Sequence, residues 1–292
     1  MLRAGPFSDE RVIRRINRRF VPHYFDLNPS GAAKDADARK LVLAAKPALG
    51  GQSVTTPPVL VMTPSGELLT EISNYASETE LLAALDEVLA ENEEWDVATA
   101  EEEAALKSGA PLERGELLFD LGRFDDARKA LERAPGSAEA LLLTRICRLQ
   151  RDFAAAAVAL ERVVDPAHAD GAHVERAWLA LQERDFKKVH AETKAIATAS
   201  SSNHEADYVD GLAHFHDGKL EAAQKCWKVL ITKAKAQDRF IYRADWAYTQ
   251  SLQAKDAGKR AGSGFSTAGP RQSLLDRIGY MGREHPDLAP LH

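Results

Sequence analysis

A repeat of about 30 residues in the second half of the chain constrains the fold more than any other feature of the sequence. An aromatic residue or leucine recurs at intervals of 29, 33 and 34 residues, and Ala or Val follows it three positions later. These pairs are Phe124/Ala127, Phe153/Ala156, Phe186/Val189 and Leu220/Ala223. A further column of small residues stands twelve positions before each of these Ala or Val residues, at Gly115, Thr144, Ala177 and Gly211. This pattern predicts two closely packed helices in each repeat.

The repeat resembles the tetratricopeptide (TPR) family over roughly residues 112–232. Each unit reads as a helix, a short turn such as Leu121-Gly-Arg-Phe124 and a second helix, at a spacing close to the family's period of about 34 residues. The resemblance implies an α-helical solenoid with a concave groove lined by the first helix of each unit. The repeats are degenerate because the consensus Trp and Tyr are missing, and a generic solenoid of antiparallel helical hairpins stays open as the alternative. We expect Phe240 to Gln253 to form a capping helix.

The groove implied by this resemblance is the expected binding site. Peptide contacts are expected from first-helix positions in three repeats: Arg145, Arg148, Trp178, Gln182, Tyr208, Leu212 and His216. A groove that mixes aromatic and arginine side chains suits a helix or an extended peptide with some acidic character. The paired Lys/Asn pattern with which some TPR proteins clamp a C-terminal carboxylate is absent from these positions. The alternative is that most of these side chains form the core between repeats.

The first 92 residues carry the pattern of a small α/β domain. The predicted elements are a helix capped by Ser8, a strand at 21–27, a helix at 32–49, strands at 59–62 and 68–72, and a helix capped by Ser77. The Pro64-Ser-Gly66 turn between the last two strands predicts that they pair as a hairpin. Glu80 completes a capping box with Ser77 ahead of a leucine stripe, which indicates where the final helix begins.

Two stretches of this region carry a family resemblance. They are Phe7-Ser-Asp9 with Val12, Asn17, Phe20-Val-Pro22 and Asp26, and Thr56-Pro-Pro-Val-Leu-Val-Met-Thr-Pro-Ser-Gly66. With the order of elements, they resemble the second part of a thioredoxin-like domain. By that match Pro57 aligns with the family's cis-proline, which faces the active site and binds extended peptide. The resemblance therefore implies peptide contacts at Thr56 and Pro57, and the alternative is a rigid loop that enters a strand.

The redox half of a thioredoxin has no counterpart after Met1. Cys147 and Cys226 are the two cysteines, and both fall in predicted repeat helices, where we expect buried packing residues. One interpretation places the true start of the protein upstream, together with the central strand and a Cys-x-x-Cys motif. The other is a domain that has lost its redox half. A missing central strand leaves sheet edges unpaired, which is costly, so we favour the first interpretation. As numbered, the chain has no dithiol chemistry.

Composition and motif searches exclude several functions. With 38 basic and 44 acidic residues the net charge is −6, which argues against coating of nucleic acid. No apolar run approaches the roughly 18 residues of a membrane span. Nucleotide-binding glycine loops, the His-Glu-x-x-His motif and the Gly-x-Ser-x-Gly motif are absent. His214 and His216 are two positions apart and do not share a helix face, so we expect no metal site. Because the motifs named above are absent, we also expect no cofactor and no catalytic residues.

The sequence therefore predicts an α/β plus all-α protein. Its predicted parts are a truncated thioredoxin-like module over residues 1–92, an acidic helical linker over 93–111, a TPR-like solenoid with its cap over 112–254, and a flexible tail with a short amphipathic segment over 255–292. We expect a cytoplasmic, non-enzymatic scaffold or chaperone-like adaptor that binds a protein or peptide. The alternative is a thiol–disulfide oxidoreductase or redox-linked chaperone with its cysteines upstream, a layout that resembles the chaperedoxins.

Overall fold

The structure is a computed structural model that describes part of the chain. The described residues are 9–22, 59–63, 65–72, 78–93, 98–197, 200, 203–233, 239–241, 243–245, 247–248 and 251–252. They are mostly helical, with one antiparallel sheet of two strands. The chain divides into two units, one formed by Met1–Arg14 with Ala98–His292 and the other by Arg15–Val97. The sequence analysis instead assigned residues 1–14 to the first domain. Helix α1 (Glu10–Arg19) spans the division.

The unit formed by Arg15–Val97 contains the predicted hairpin. Strands β1 (Val59–Met62) and β2 (Leu68–Ile72) pair antiparallel, with Val59 opposite Ile72. Gly66 supplies the left-handed conformation of the turn at φ 89°. Helix α2 (Glu78–Glu91) contacts β2 and buries the predicted leucine face through Leu81, Leu85 and Leu89. The hairpin and this helix are confirmed.

The other thioredoxin-like features of this unit fall almost entirely beyond the described residues. Val21 and Pro22, at the start of the predicted strand 21–27, have no regular secondary structure. The rest of that strand, the predicted helix at 32–49, and the predicted peptide contacts Thr56 and Pro57 lie outside the described residues. The thioredoxin-like assignment therefore stays a prediction.

The larger unit is built from consecutive helices. They are α3 (Ala100–Ser108), α4 (Pro111–Asp120), α5 (Phe124–Leu131), α6 (Ser137–Leu149), α7 (Phe153–Leu160), α8 (Ala169–Gln182), α9 (Phe186–Ala195), α10 (Asn203–His216) and α11 (Leu220–Lys233), with a 3₁₀ turn at Pro166–His168 before α8. Helix α3 lies in the predicted linker and begins with a capping box between Thr99 and Glu102. Helices α4 to α11 pack as four consecutive pairs, each joined by a short turn.

All four pairs use the same turn. The residue after each first helix's cap has a positive φ, which is 72° at Gly122, 63° at Arg151, 60° at Arg184 and 77° at Gly218. The next backbone N–H then donates to the carbonyl five residues earlier, as in Arg123 to Leu118 and Lys219 to His214. This is the Schellman arrangement, which satisfies the last carbonyls of a helix and reverses the chain. Its recurrence shows that the four pairs are copies of one local structure.

The residue columns that defined the repeat have a direct structural meaning. Phe124, Phe153, Phe186 and Leu220 are the first residues of α5, α7, α9 and α11. The Ala and Val residues three positions later are fully buried in all four pairs. At Gly115 and Gly211 the partner helix approaches so closely that a Cβ would lie 2.6 Å from Leu131 Cδ2 and from Trp227 Cδ1, respectively. The predicted pairs of closely packed helices are confirmed.

Two hydrophobic clusters fill this unit. One runs from Leu118 to Leu179, and the other runs from Val174 to Ala247. Residues 239–241, 243–245, 247–248 and 251–252 are helical, and Phe240, Ala244 and Ala247 pack into the second cluster. The residues described in the predicted capping segment are therefore helical and cover the end of the core.

Candidate functional site

The first helices of three successive pairs bring a set of charged side chains together. The set, which we call the ion-pair network, contains Arg145 and Arg148 on α6, Glu175 on α8, and Glu205 on α10. Arg148 donates from Nε and Nη2 to the two oxygens of Glu175, at 2.6 and 3.0 Å. Such a bidentate pair fixes both the position and the orientation of the guanidinium.

Aromatic side chains surround this network. The Trp178 indole N–H donates to Glu205 Oε1 at 2.8 Å, and the Arg148 guanidinium lies over the Trp178 ring, 4.9 Å from its centroid. Arg145 and Arg148 are three residues apart on α6, as are Glu175 and Trp178 on α8. Residues at this spacing share one face of a helix, so each first helix directs both members of its pair to the same side.

A carboxylate from the start of α1 completes the network. Glu10 lies 2.7 Å from Arg145 Nε, 3.1 Å from Arg239 Nη1 and 2.9 Å from Arg14 Nη2, and its side chain is 8% exposed. Val12 is fully buried. The Arg14 guanidinium lies over the Phe119 ring, at 4.3 Å from its centroid. The first turn of α1 is thus bound to the repeat helices through both charge and apolar contact.

Geometry leaves the contact between Glu10 and Arg145 incomplete. Both atoms of the 2.7 Å pair, Glu10 Oε2 and Arg145 Nε, are buried, yet neither has a hydrogen-bond partner among the described residues. The two groups therefore attract each other by charge without an aligned hydrogen bond. A buried polar atom without such a bond costs about 1–3 kcal/mol.

The pKa shifts follow from this arrangement. Burial alone would raise the pKa of Glu10, but the guanidiniums of Arg145, Arg239 and Arg14 outweigh it and lower the pKa to about 2. Burial would lower the pKa of Arg148, and Glu175 and Glu205 reverse this effect, so the pKa is raised. Glu10 is therefore a carboxylate throughout the neutral range.

Glu10 supplies the carboxylate that offsets an excess guanidinium of the repeat helices and their cap, and Arg14 on its own helix pairs with it as well. The guanidiniums of Arg145, Arg148 and Arg239 face the carboxylates of Glu175, Glu205 and Glu10. Without Glu10, two carboxylates would face three guanidiniums in a largely buried place. Because an uncompensated buried charge is strongly unfavourable, the network requires an anionic group at the position of Glu10.

The residues predicted as peptide contacts have different environments in the structure. It brings Arg145, Arg148 and Trp178 together in the network. It places Tyr208 and Leu212 fully inside the core, so we do not retain these two as ligand contacts. Gln182 and His216 are the half-buried last residues of α8 and α10.

Four charged members of the network escaped the sequence analysis: Glu10, Glu175, Glu205 and Arg239. One signal was present for two of them. Glu175 and Glu205 stand three residues before Trp178 and Tyr208, as Arg145 stands before Arg148. The three charged residues are not equivalent in the repeat, however, because they stand one position after Thr144, two before Ala177 and six before Gly211.

Neither cysteine is a reactive thiolate. Burial raises the pKa of Cys147, and burial together with the Asp210 carboxylate raises the pKa of Cys226 to about 12. Because the thiolate is the nucleophilic form, both side chains stay as unreactive thiols near neutral pH.

One other group of side chains has the composition of a metal site. His190, Asp210 and His214 each place a ligand atom within 4.8 Å of the others. The sequence analysis predicted no metal ligands, because it compared His214 with His216 rather than with Asp210, one helical turn away.

Comparison with known protein families, with curated proteins and with solved structures finds no match to the chain. In the part of the chain that the structure describes, no helix is both long enough and apolar enough to cross a membrane.

Proposed function

We propose that this protein is a binding scaffold whose TPR-like helical repeats recognise a helical segment of a protein partner through an acidic residue in the first turn of that segment. One observation carries the proposal: the repeats bind the first turn of α1 through Glu10, which contacts Arg145 and Arg239 from two separate parts of the repeat unit. In this proposal, residues 9–14 stand in for the partner's segment. The thioredoxin-like module would add a second peptide-binding surface at Thr56 and Pro57.

The charges of the network support an anionic ligand. Arg145 and Arg239 present two guanidiniums to one carboxylate, and the site has an excess positive charge when that carboxylate leaves. The cation–π contact at Phe119 supports a helical ligand, because Arg14 reaches this ring from one turn beyond Glu10. A carboxylate at the start of a helix also interacts favourably with the helix dipole.

The incomplete hydrogen bonding of Glu10 supports exchange of this segment for a partner. A ligand carboxylate with a better angle at Arg145 Nε would gain a charge-assisted hydrogen bond that Glu10 lacks. The segment on the same chain has an effective concentration in the millimolar range, which a free peptide must exceed. We therefore expect weak binding of peptides while Glu10 is in place.

A peptide-binding experiment tests the proposal. The probe is a fluorescent peptide with the sequence of residues 9–20, and the readout is its anisotropy on titration with full-length protein. The variant Glu10→Lys repels Arg145 and Arg239 and should release the segment, so we expect its affinity for the peptide to exceed that of the wild type by at least tenfold. Glu10→Gln is the milder second variant, should Glu10→Lys lose its helical circular dichroism.

Two controls separate specific binding from general attraction between a basic peptide and an acidic protein. Adding Arg145→Gln to the Glu10→Lys chain should weaken binding at least tenfold, whereas Arg123→Gln, at an exposed ion pair with Asp126, should not. A peptide with Gln at the position of Glu10 should bind as weakly as a scrambled peptide. Equal binding by the Arg145 and Arg123 variants would contradict the proposal.

A further inference from the structure

A compact polar cluster lies between the third and fourth helix pairs. His190 on α9 places Nδ1 at 2.6 Å from Asp210 Oδ1, and His214, one turn after Asp210 on α10, places Nε2 at 3.8 Å from Asp210 Oδ2. The two imidazole rings are stacked, with centroids 4.2 Å apart. One carboxylate therefore faces two imidazoles from neighbouring helices.

Each imidazole of this cluster has one nitrogen without a hydrogen bond. These nitrogens, His190 Nε2 and His214 Nδ1, are buried and are not the ones that approach Asp210, and neither has a hydrogen-bond partner among the described residues. A buried polar atom of this kind calls for an explanation, and a bound ion is one of the usual ones.

Neighbouring side chains hold the carboxylate in place. The Thr193 hydroxyl donates to Asp210 Oδ1 at 3.1 Å, and the Cys226 thiol on α11 donates to Asp210 Oδ2 at 3.5 Å. Support of a ligand by such surrounding groups is typical of protein metal sites. The ammonium of Lys219, in the turn after α10, is paired with Asp217 at 2.6 Å.

The ligand chemistry selects a class of ion. Two imidazole nitrogens and one carboxylate oxygen suit Zn²⁺ and similar first-row divalent ions, whereas Ca²⁺ and Mg²⁺ prefer oxygen ligands alone. Metal binding requires neutral imidazoles.

We propose that His190, Asp210 and His214 form a Zn²⁺-type site that links α9 to α10. Three protein ligands leave one position of a tetrahedral ion for water. The bound ion would join consecutive repeats and neutralise the half-buried carboxylate. This site is separate from Glu10, Arg145 and Arg239, and the proposal does not depend on the peptide-binding function.

The chain contains a matched control for this site. One helix earlier, between α8 and α9, His173 Nδ1 lies 2.6 Å from Glu192 Oε2, which reproduces the contact between His190 and Asp210. There the third partner is Arg176, with Nη1 at 3.8 Å from Glu192, instead of a second histidine. A guanidinium cannot ligate a cation, so this pair should not bind the metal.

The test uses full-length, tag-free protein stripped of metal with a chelator. Titration with Zn²⁺ by calorimetry should give one site per chain, and Co²⁺ should give visible absorption bands of a low-symmetry site. Zn²⁺ should also raise the melting temperature. His214→Ala and His190→Ala should each lower the affinity at least tenfold and abolish the thermal shift, and His173→Ala should change neither.

Variants that lose the fold would not weaken the test. Circular dichroism of the metal-free proteins identifies such a variant. Asp210→Asn, which keeps the shape of the side chain but removes its charge, is then used in its place, and we expect it to show the same loss of Zn²⁺ affinity and of the thermal shift. Absence of Zn²⁺ binding to the wild type would overturn the proposal. Binding that survives substitution of His190, Asp210 and His214 would overturn it as well.

Discussion

Replacement of Glu10 by Gln isolates the energetic role of the carboxylate that the repeats bind. The amide keeps the shape of the side chain and removes its charge, so it resembles the protonated form of Glu10. In the folded protein this leaves Arg145 and Arg239 without the anion that faces them. We expect a clear loss of stability at neutral pH, and the loss should depend on pH.

The magnitude follows from the pKa of Glu10. Burial opposes ionisation, but the three arginines lower the pKa from 4.5 to about 2. When the folded and unfolded pKa values differ by one, the free energy of unfolding changes by about 1.4 kcal/mol, so ionised Glu10 contributes about 3 kcal/mol. Because the folded pKa is the lower one, this contribution is fully present above pH 4.5. It is lost as the pH falls towards 2.

Urea unfolding of the wild type and of Glu10→Gln, followed by tryptophan fluorescence between pH 7 and pH 2.5, measures this difference. We expect Glu10→Gln to be less stable by about 3 kcal/mol at pH 7. The two curves should converge as the pH falls. Asp126→Asn, at the exposed pair with Arg123, is the control and should change little at any pH. A pH-independent difference, or one below about 1 kcal/mol at pH 7, would refute the reasoning.

Two further predictions test the repeat packing by thermal and urea unfolding. Gly211→Ala should destabilise the protein by about 1–3 kcal/mol, because the new methyl group overlaps the fully buried Trp227 ring. The control Gly171→Ala should cost less, because its methyl group meets only the end of one flexible leucine side chain. Equal losses of stability in the two variants would contradict the packing argument. Arg184→Gly should stabilise the protein by about 1 kcal/mol, because φ is 60° there and glycine occupies the equivalent position at Gly218; a less stable variant would show that Arg184 makes a compensating contact.

The helical repeats were predictable because their signals are local. Phe124 and its three equivalents begin the second helices, and the small residues at Gly115 and Gly211 lie where two neighbouring helices approach. These requirements recur in every unit, so the sequence shows them four times. The β1–β2 hairpin was predictable for a similar reason, since its turn residues adjoin the strands they connect.

The turns between helices show where residue type misleads. Gly122 and Gly218 indicate a left-handed residue at the end of the first helix, but Arg151 and Arg184 adopt the same conformation. The hydrogen bonds of the Schellman turn and the packing of the flanking helices outweigh the cost of a side chain there. Two of the four turns therefore look irregular in sequence although their backbones are equivalent.

The charged network could be predicted only in part, because its partners are far apart in the sequence. The arginines at 145 and 148 indicated an acidic ligand, and Arg145 does contact a carboxylate, but that carboxylate is Glu10 of the same chain. No pattern within a helix specifies a contact between residues 10 and 145. Burial of Glu175 was equally hidden, since a glutamate on a helix is usually exposed unless it is paired.

The cluster of His190, Asp210 and His214 combines a local sequence pattern with a contact between residues that are far apart in the sequence. Asp210 and His214 are four residues apart on α10, which places them on one helix face and makes the pair detectable in the sequence. His190 joins them only because the turn after α9 returns the chain so that the start of the next pair packs against it. Two of the three ligands of the proposed metal site thus form a local pattern, and the third is brought to them by the repeat geometry. A search for ligand pairs four residues apart, extended by one repeat length in each direction, would find the whole set.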